Sequence, residues 1–226
     1  MNLLKILIFI ILLTVSKTSF AKVKPYFDES LINPNLIEKP FKIGDENWRK
    51  EINFIVNLQN NFDLERLDQA ANEKKLQPET FTFYINKKLT RQNYQNLYQM
   101  LARVEITSIN LTKYLKEYFK ITRPYLASNE VKMLISPSKG YAYPSGHTSG
   151  SFIYAYVLME IFPEKKNNLL NFANQIANNR ILVGMHYPQD IKAGKALALL
   201  TIKFLKENQE FLEDLEKAKI EIEKLY

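Results

Sequence analysis

Tyr143-Pro144-Ser145-Gly146-His147-Thr148 stands directly before an apolar run, Ser149–Phe162, and carries one of only two histidines in a chain of 226 residues. A proline, a hydroxyl residue and a glycine ahead of a helical pattern bring unpaired backbone N–H groups and the positive end of a helix dipole to one point. Gly146 lets a ligand approach the backbone closely and Ser145 adds a hydroxyl donor, so the turn is suited to phosphate. The same residues also make a plain helix cap, and the turn alone does not decide between the two.

Helical periodicity flanks the turn on both sides. Ser149–Phe162 should stop at Pro163, and Glu164–Val183 should end near Gly184. Pro188 is placed to open a last helix running through Leu200 into Lys224. Upstream, Leu97, Leu101, Val104, Leu111, Leu115 and Tyr118 or Phe119 recur every three to four residues over Thr90–Ile121, as a core helix or a broken pair, with Pro124 ending it. Residues 125–143 then form a loop long enough to belong to the site. Glu46–Asn60 reads as a helix, and Asp63 as the N-cap of another through Leu76, closed by Pro78. Pro25, Pro34, Pro40 and Gly44 make 22–45 an extended lead segment, either a loose arm or a lid. No stretch alternates with the period of a strand, so the fold class is all-α, with one domain from Lys22 to Tyr226. Phe211, Leu212, Leu215 and Ile220 give Glu207–Tyr226 a helical stripe, either an interface or a packed tail.

The first residues are set apart from that domain. A basic start at Met1–Lys5, an apolar run at Ile6–Val15 and small residues at Ser19-Phe20-Ala21 form a secretory signal, cleaved after Ala21. The apolar run is about half a membrane span, which argues against an uncleaved anchor. The expected location is therefore the periplasm or the medium, with no stable membrane span after cleavage. Removing the leader takes Lys5 and Lys17 but no acid, lowering the net charge from +7 to +5. That balance suits an anionic small substrate and is far from a nucleic-acid-binding composition. The absence of cysteine excludes disulfides and thiolate chemistry.

Two further clusters share the chemistry of the turn. Lys116 and Arg123 lie seven residues apart, two helical turns, so both can point one way from the end of one helix; a solvated basic face is the plain alternative. Arg180 precedes the second histidine, His186, by six residues, and Asp190 follows His186 by four. From the first turn of a helix, the Asp190 carboxylate can hold one ring nitrogen of His186 and leave the other free to attack phosphorus. His147, His186 and Asp190 are also legitimate metal ligands, but three neighbouring cations repel a divalent ion and favour bare phosphate, so no metal is expected.

Together these residues resemble the phosphatidic acid phosphatase type 2 (PAP2) superfamily. Its signature is Lys-x6-Arg-Pro, Pro-Ser-Gly-His and Ser-Arg-x5-His-x3-Asp; here stand Lys116 with Arg123-Pro124, Pro144-Ser145-Gly146-His147, and Arg180, His186 and Asp190 at the same internal spacings. Within it, the leader, the Tyr-Pro-Ser-Gly-His-Thr-Ser wording and the Gly-Met-His-Tyr-Pro-Gln-Asp turn are most similar to the bacterial class A non-specific acid phosphatases, over about residues 90 to 205. One departure is Asn179, where the signature has serine.

The resemblance implies a helical bundle of the PAP2 and vanadium-haloperoxidase type and a metal-independent acid phosphatase without cofactor. In that reading His186 is the nucleophile, Asp190 orients it, and His147 is the general acid and base. Lys116, Arg123, Ser145, Gly146 and Arg180 bind the phosphoryl group of a small phosphorylated substrate. A homo-oligomer is also implied. The same site would serve a lipid-phosphate or pyrophosphate phosphatase, or hold vanadate in a haloperoxidase; an exported helical domain with a dead pocket is the non-enzyme alternative.

Overall fold

The computed structural model describes residues 23–226, so the expected leader and its cleavage point lie outside the described residues. Among the described residues there are nine α-helices and no strand, in agreement with the all-α reading. They are α1 (Glu46–Asn60), α2 (Leu64–Asn72), α3 (Pro78–Ile85), α4 (Gln95–Phe119), the single turn α5 (Pro124–Ala127), α6 (Gly146–Met159), α7 (Lys166–Leu182), α8 (Pro188–Lys206) and α9 (Gln209–Leu225). Among them no helix is long and apolar enough to cross a membrane.

The hexapeptide turn opens α6, the central helix, which packs against α4, α7 and α8. Its side chains are small or apolar all round, from Thr148, Ser149 and Gly150 to Val157 and Leu158, and nearly all are buried, as a helix enclosed on every side requires. Two glycines set how closely its neighbours come. A Cβ at Gly194 of α8 would lie 2.8 Å from both the Ser145 carbonyl oxygen and Thr148 Cβ, and one at Gly150 would lie 2.7 Å from Leu76 Cδ2. In α4, one unbroken helix, Leu97, Leu101, Val104, Ser108, Leu111 and Leu115 form the buried face.

Several boundaries differ from the sequence reading: α4 begins at Gln95 and not Thr90, and α6 runs from Gly146 to Met159 and not from Ser149 to Phe162. Helix α2 ends at Asn72, and Pro78 opens α3 instead of closing α2, since a proline at the first helical position forfeits no internal hydrogen bond. Pro124 does not end α4; that helix stops at Phe119, where Lys120 turns into the left-handed region at φ 52°. Lys116 and Arg123 therefore do not project from one helix. The last helical stretch is two helices, because Asn208 caps α9, its side chain accepting from the Phe211 N–H at 3.0 Å.

Helix α9 packs on the bundle along one face, with Leu212 and Ile220 of the expected stripe exposed. Phe211, Leu215, Ala218 and Ile222 are buried against the bundle. Its Glu221 accepts the free N–H groups of Asn96, at 3.1 Å, and Leu97, at 3.0 Å, and so caps α4, whose own N-cap side chain does not. The lead segment is likewise fixed, with 3-10 turns at Glu29–Leu31 and Pro34–Leu36. Ile32 and Ile37 are fully buried against Leu111, Leu115, Tyr143 and Leu197, and the Tyr143 hydroxyl donates to the Glu38 carbonyl. In the described residues it lies as a strap against the hexapeptide turn.

Candidate active site

The site forms where α4, α6 and α7 end or begin and the α7–α8 turn passes beneath them. Ser145 is the N-cap of α6: its Oγ accepts from the Thr148 N–H at 3.3 Å and the Thr148 hydroxyl at 2.9 Å, leaving its own hydrogen free for a ligand. Its backbone N–H donates to the Asp190 carbonyl oxygen at 3.0 Å, tying the turn to α8. Gly184, at φ +76°, ends α7 in the conformation that favours glycine. The chain then folds back so that the N–H groups of Met185 and His186 donate to the Arg180 carbonyl, at 3.1 and 3.2 Å.

His186 is buried with both ring nitrogens engaged. Nδ1 lies 3.1 Å from Asp190 Oδ2, which also accepts from the Tyr187 N–H at 2.9 Å, and Nε2 lies 3.3 Å from Arg123 Nη1. A carboxylate on one side and a guanidinium donor on the other fix the tautomer: the proton sits on Nδ1, and Nε2 keeps its lone pair. Burial first, and the charges of Lys116 and Arg123 next, hold the His186 pKa well below its ordinary value. Burial pushes the Asp190 carboxyl up and the Lys116 ammonium down. Oδ1 of Asp190 is buried without a hydrogen-bond partner.

Lys116 and Arg123 are brought together by a loop, not by a shared helix. Lys116 Nζ donates to the carbonyl oxygens of Tyr141, at 2.5 Å, and Ala142, at 2.8 Å. Arg123 donates to those of Gly140, at 2.9 Å, and Met185, at 3.0 Å. The expected loop thus carries the two cations on its backbone.

His147 lies in the first turn of α6, part-exposed, and its Nε2 is 3.1 Å from the Lys74 carbonyl oxygen. A carbonyl can only accept, so Nε2 carries the hydrogen and Nδ1 is the nitrogen free to take up or give a proton. Burial first, and Arg180 second, push its pKa down to about 4. Together with Lys116 and Gly146, His147 lines a cavity of about 370 Å³ whose wall includes Leu76, Ile109 and Ile153. His186 and Asp190 bind each other while His147 turns to Lys74, so the three do not converge as ligands; among the described residues no group of three or more His, Cys, Asp or Glu is placed to hold a metal ion.

Arg180 is buried among neighbours that sequence reasoning did not find. Its Nη2 donates to the Ala70 carbonyl and, at 3.3 Å, to Glu73 Oε2, while Nε is buried without a partner. Asn179, which stands where the signature has serine, donates to Glu73 at 3.0 and 3.2 Å and accepts from Arg66 Nε at 3.1 Å. Nothing in the sequence separates Glu73 from an ordinary surface glutamate at a helix end.

Comparison with known proteins follows the same outline. The PAP2 superfamily model matches residues 97–211. The non-specific acid phosphatase of Providencia stuartii is 29% identical over 170 residues, which cover 71% of this chain and 68% of that protein. That of Salmonella typhi is 27% identical over 142 residues, 61% of this chain and 56% of the relative. An acid phosphatase of Zymomonas mobilis is 35% identical over 83 residues, 37% of this chain and 31% of the relative. In fold, the chain is similar to the transmembrane PAP2-type phosphatidylglycerolphosphate phosphatase of Bacillus subtilis, with a TM-score of 0.53 and 16% identity over 75% of this chain and 91% of that one.

Proposed function

The chain belongs to the PAP2 superfamily, and on that premise we propose that it is an acid phosphatase that hydrolyses phosphate monoesters through a phosphohistidine, without a metal. The observation that carries this reading is the state of His186: Asp190 at Nδ1 leaves Nε2 a lone pair among cations, where a phosphate would lie.

The phosphoryl oxygens are held by Lys116, Arg123, Arg180, the Ser145 hydroxyl and the Gly146 N–H. As Nε2 of His186 forms its bond to phosphorus, the bond to the ester oxygen breaks and His147 Nδ1 gives that oxygen its proton. Asp190 stabilises the positive charge on the His186 ring. Water then attacks phosphorus, His147 Nδ1 takes its proton, and the P–N bond breaks to release orthophosphate. The cations act on charge that moves among the phosphoryl oxygens, the principal stabilisation in phosphoryl transfer.

Residues 22–226 form the catalytic domain, exported behind the leader. The apolar wall formed by Leu76, Ile109 and Ile153 also accommodates an amphiphilic leaving group, so a short-chain lipid phosphate is the second substrate to assay.

The test is hydrolysis of p-nitrophenyl phosphate at about pH 6 in excess chelator, beside His186→Ala. Activity should survive the chelator, vanish in the variant, and yield an acid-labile phosphoenzyme on rapid quenching. Activity lost to the chelator would overturn the metal-free route.

A further inference from the structure

The C-terminal turn of α2 touches two groups of the site at once, and it lies outside residues 97–211. Lys74 N–H bonds to the Ala71 carbonyl at 3.2 Å, so the Ala70 carbonyl is free for Arg180 Nη2. The Glu73 carboxylate, buried, takes the same nitrogen. One residue on, the Lys74 carbonyl faces His147 Nε2. The negative end of a helix is where cations are held best.

The guanidinium is consequently anchored on one side only. With Nη2 occupied by Ala70 and Glu73, the buried Nε has no partner among the described residues. A buried donor left unpaired is unfavourable unless something else accepts from it. Asn179 completes the anchor: its carboxamide bridges Glu73 and Arg66, so the residue that replaces the signature serine acts on Glu73.

We infer that Glu73 is a positioning residue for catalysis: with the Ala70 carbonyl and Asn179 it clamps Nη2 of Arg180 so that Nε is presented to a phosphoryl oxygen of the substrate. The inference rests on the proposed phosphatase reading. Glu73 also carries a charge, and the two roles have opposite signs. A countercharge weakens phosphate binding, so its loss would tighten the site; a clamp strengthens binding, so its loss would loosen it.

The experiment compares Glu73→Ala, Glu73→Gln and the unaltered protein for kcat and KM on p-nitrophenyl phosphate, for the inhibition constant of orthophosphate, and for thermal unfolding. Glu73→Ala should raise KM and the orthophosphate constant by about 10-fold to 100-fold, the scale of a misplaced ligand-holding group. Glu73→Gln, which keeps an acceptor for Nη2, should recover most of that loss. An inhibition constant that is unchanged or lower in Glu73→Ala overturns the inference, whatever happens to the melting temperature, because a merely structural role lowers the active fraction without moving that constant. Should Glu73→Ala not fold, Asn179→Ala decides: a several-fold rise in the constant supports the clamp and no rise overturns it. If the unaltered protein neither hydrolyses the ester nor binds orthophosphate, the phosphatase reading itself has failed.

Discussion

Asp190 Oδ2 lies 3.1 Å from His186 Nδ1, one helical turn away along the chain, and accepts the Tyr187 N–H as well. One oxygen therefore sets both the tautomer of the histidine and the start of α8, while the other oxygen of the carboxylate has no partner among the described residues.

Asp190→Asn keeps an acceptor at the Oδ2 position, removes the charge and puts an NH2 group where Oδ1 lies. kcat should fall by about 10²-fold to 10⁴-fold, because the positive charge that the proposed mechanism places on the His186 ring is no longer offset. The melting temperature should change little, since relief of a buried charge offsets the new buried donor. Steady-state kinetics with a thermal melt checks both, and a variant that simply unfolds would sink the assignment.

The dependence of kcat/KM on pH should be a bell on the acid side of neutrality. In the proposed mechanism, productive binding needs one proton shared between His147 and the substrate phosphate. The free His147 loses its proton at about 4, and a phosphate monoester takes its second proton near pH 6, at about the value known for phosphorylated side chains. Activity should thus rise above about 4 and fall above about 6, with Lys116, pushed down by burial, steepening the fall as it loses its charge. An ester with a more acidic phosphate should shift the upper limb downward by the same amount; an unmoved limb would show that a protein group sets it.

Gly194→Ala places a methyl group against the Ser145 carbonyl and Thr148. Either α8 or the hexapeptide turn must move, with a stability loss of about 1–3 kcal/mol. Because the Ser145 turn is the part displaced, kcat/KM should fall by more than the loss of folded protein explains. Urea unfolding and kinetics on the same sample separate the two effects.

Glu51 of α1 accepts the Gln189 N–H at 3.0 Å, and burial raises its pKa to about 7 from an ordinary 4.5. A carboxyl raised in the folded state favours folding at low pH, and that contribution is lost as pH climbs from 4.5 to about 7. Glu51→Gln, which mimics the protonated form, should therefore gain melting temperature relative to the parent as pH rises through that window. A difference that stays constant with pH would contradict this.

Much of the fold was legible because it is periodic: α1 has the expected bounds, the buried face of α4 follows from apolar spacing, and α6 is the expected apolar run. The boundaries that failed are at Pro78 and Pro124, where a proline that can end a helix begins one instead, and at Asn208, where a polar side chain splits an otherwise continuous pattern. In the site, the motif spacings located His147, His186 and Asp190, and the structure brings His186 and Asp190 together. What spacing could not show is contact made through backbone atoms, which carry no residue signature. The carbonyls of Ala70, Lys74, Gly140 and Tyr141 belong to this group, and Glu73 is similar, since its meaning comes wholly from a helix far away in sequence.

Lys116 and Arg123 are restrained by carbonyl dipoles, which fix a cation in place and take none of its charge away. The pocket therefore greets any tetrahedral oxyanion with an undischarged field, and it cannot tell the group it has just cleaved from the group it is about to cleave. Orthophosphate leaves against the same attraction that drew the ester in. Added orthophosphate should therefore compete with the ester for that field and slow turnover as its concentration rises.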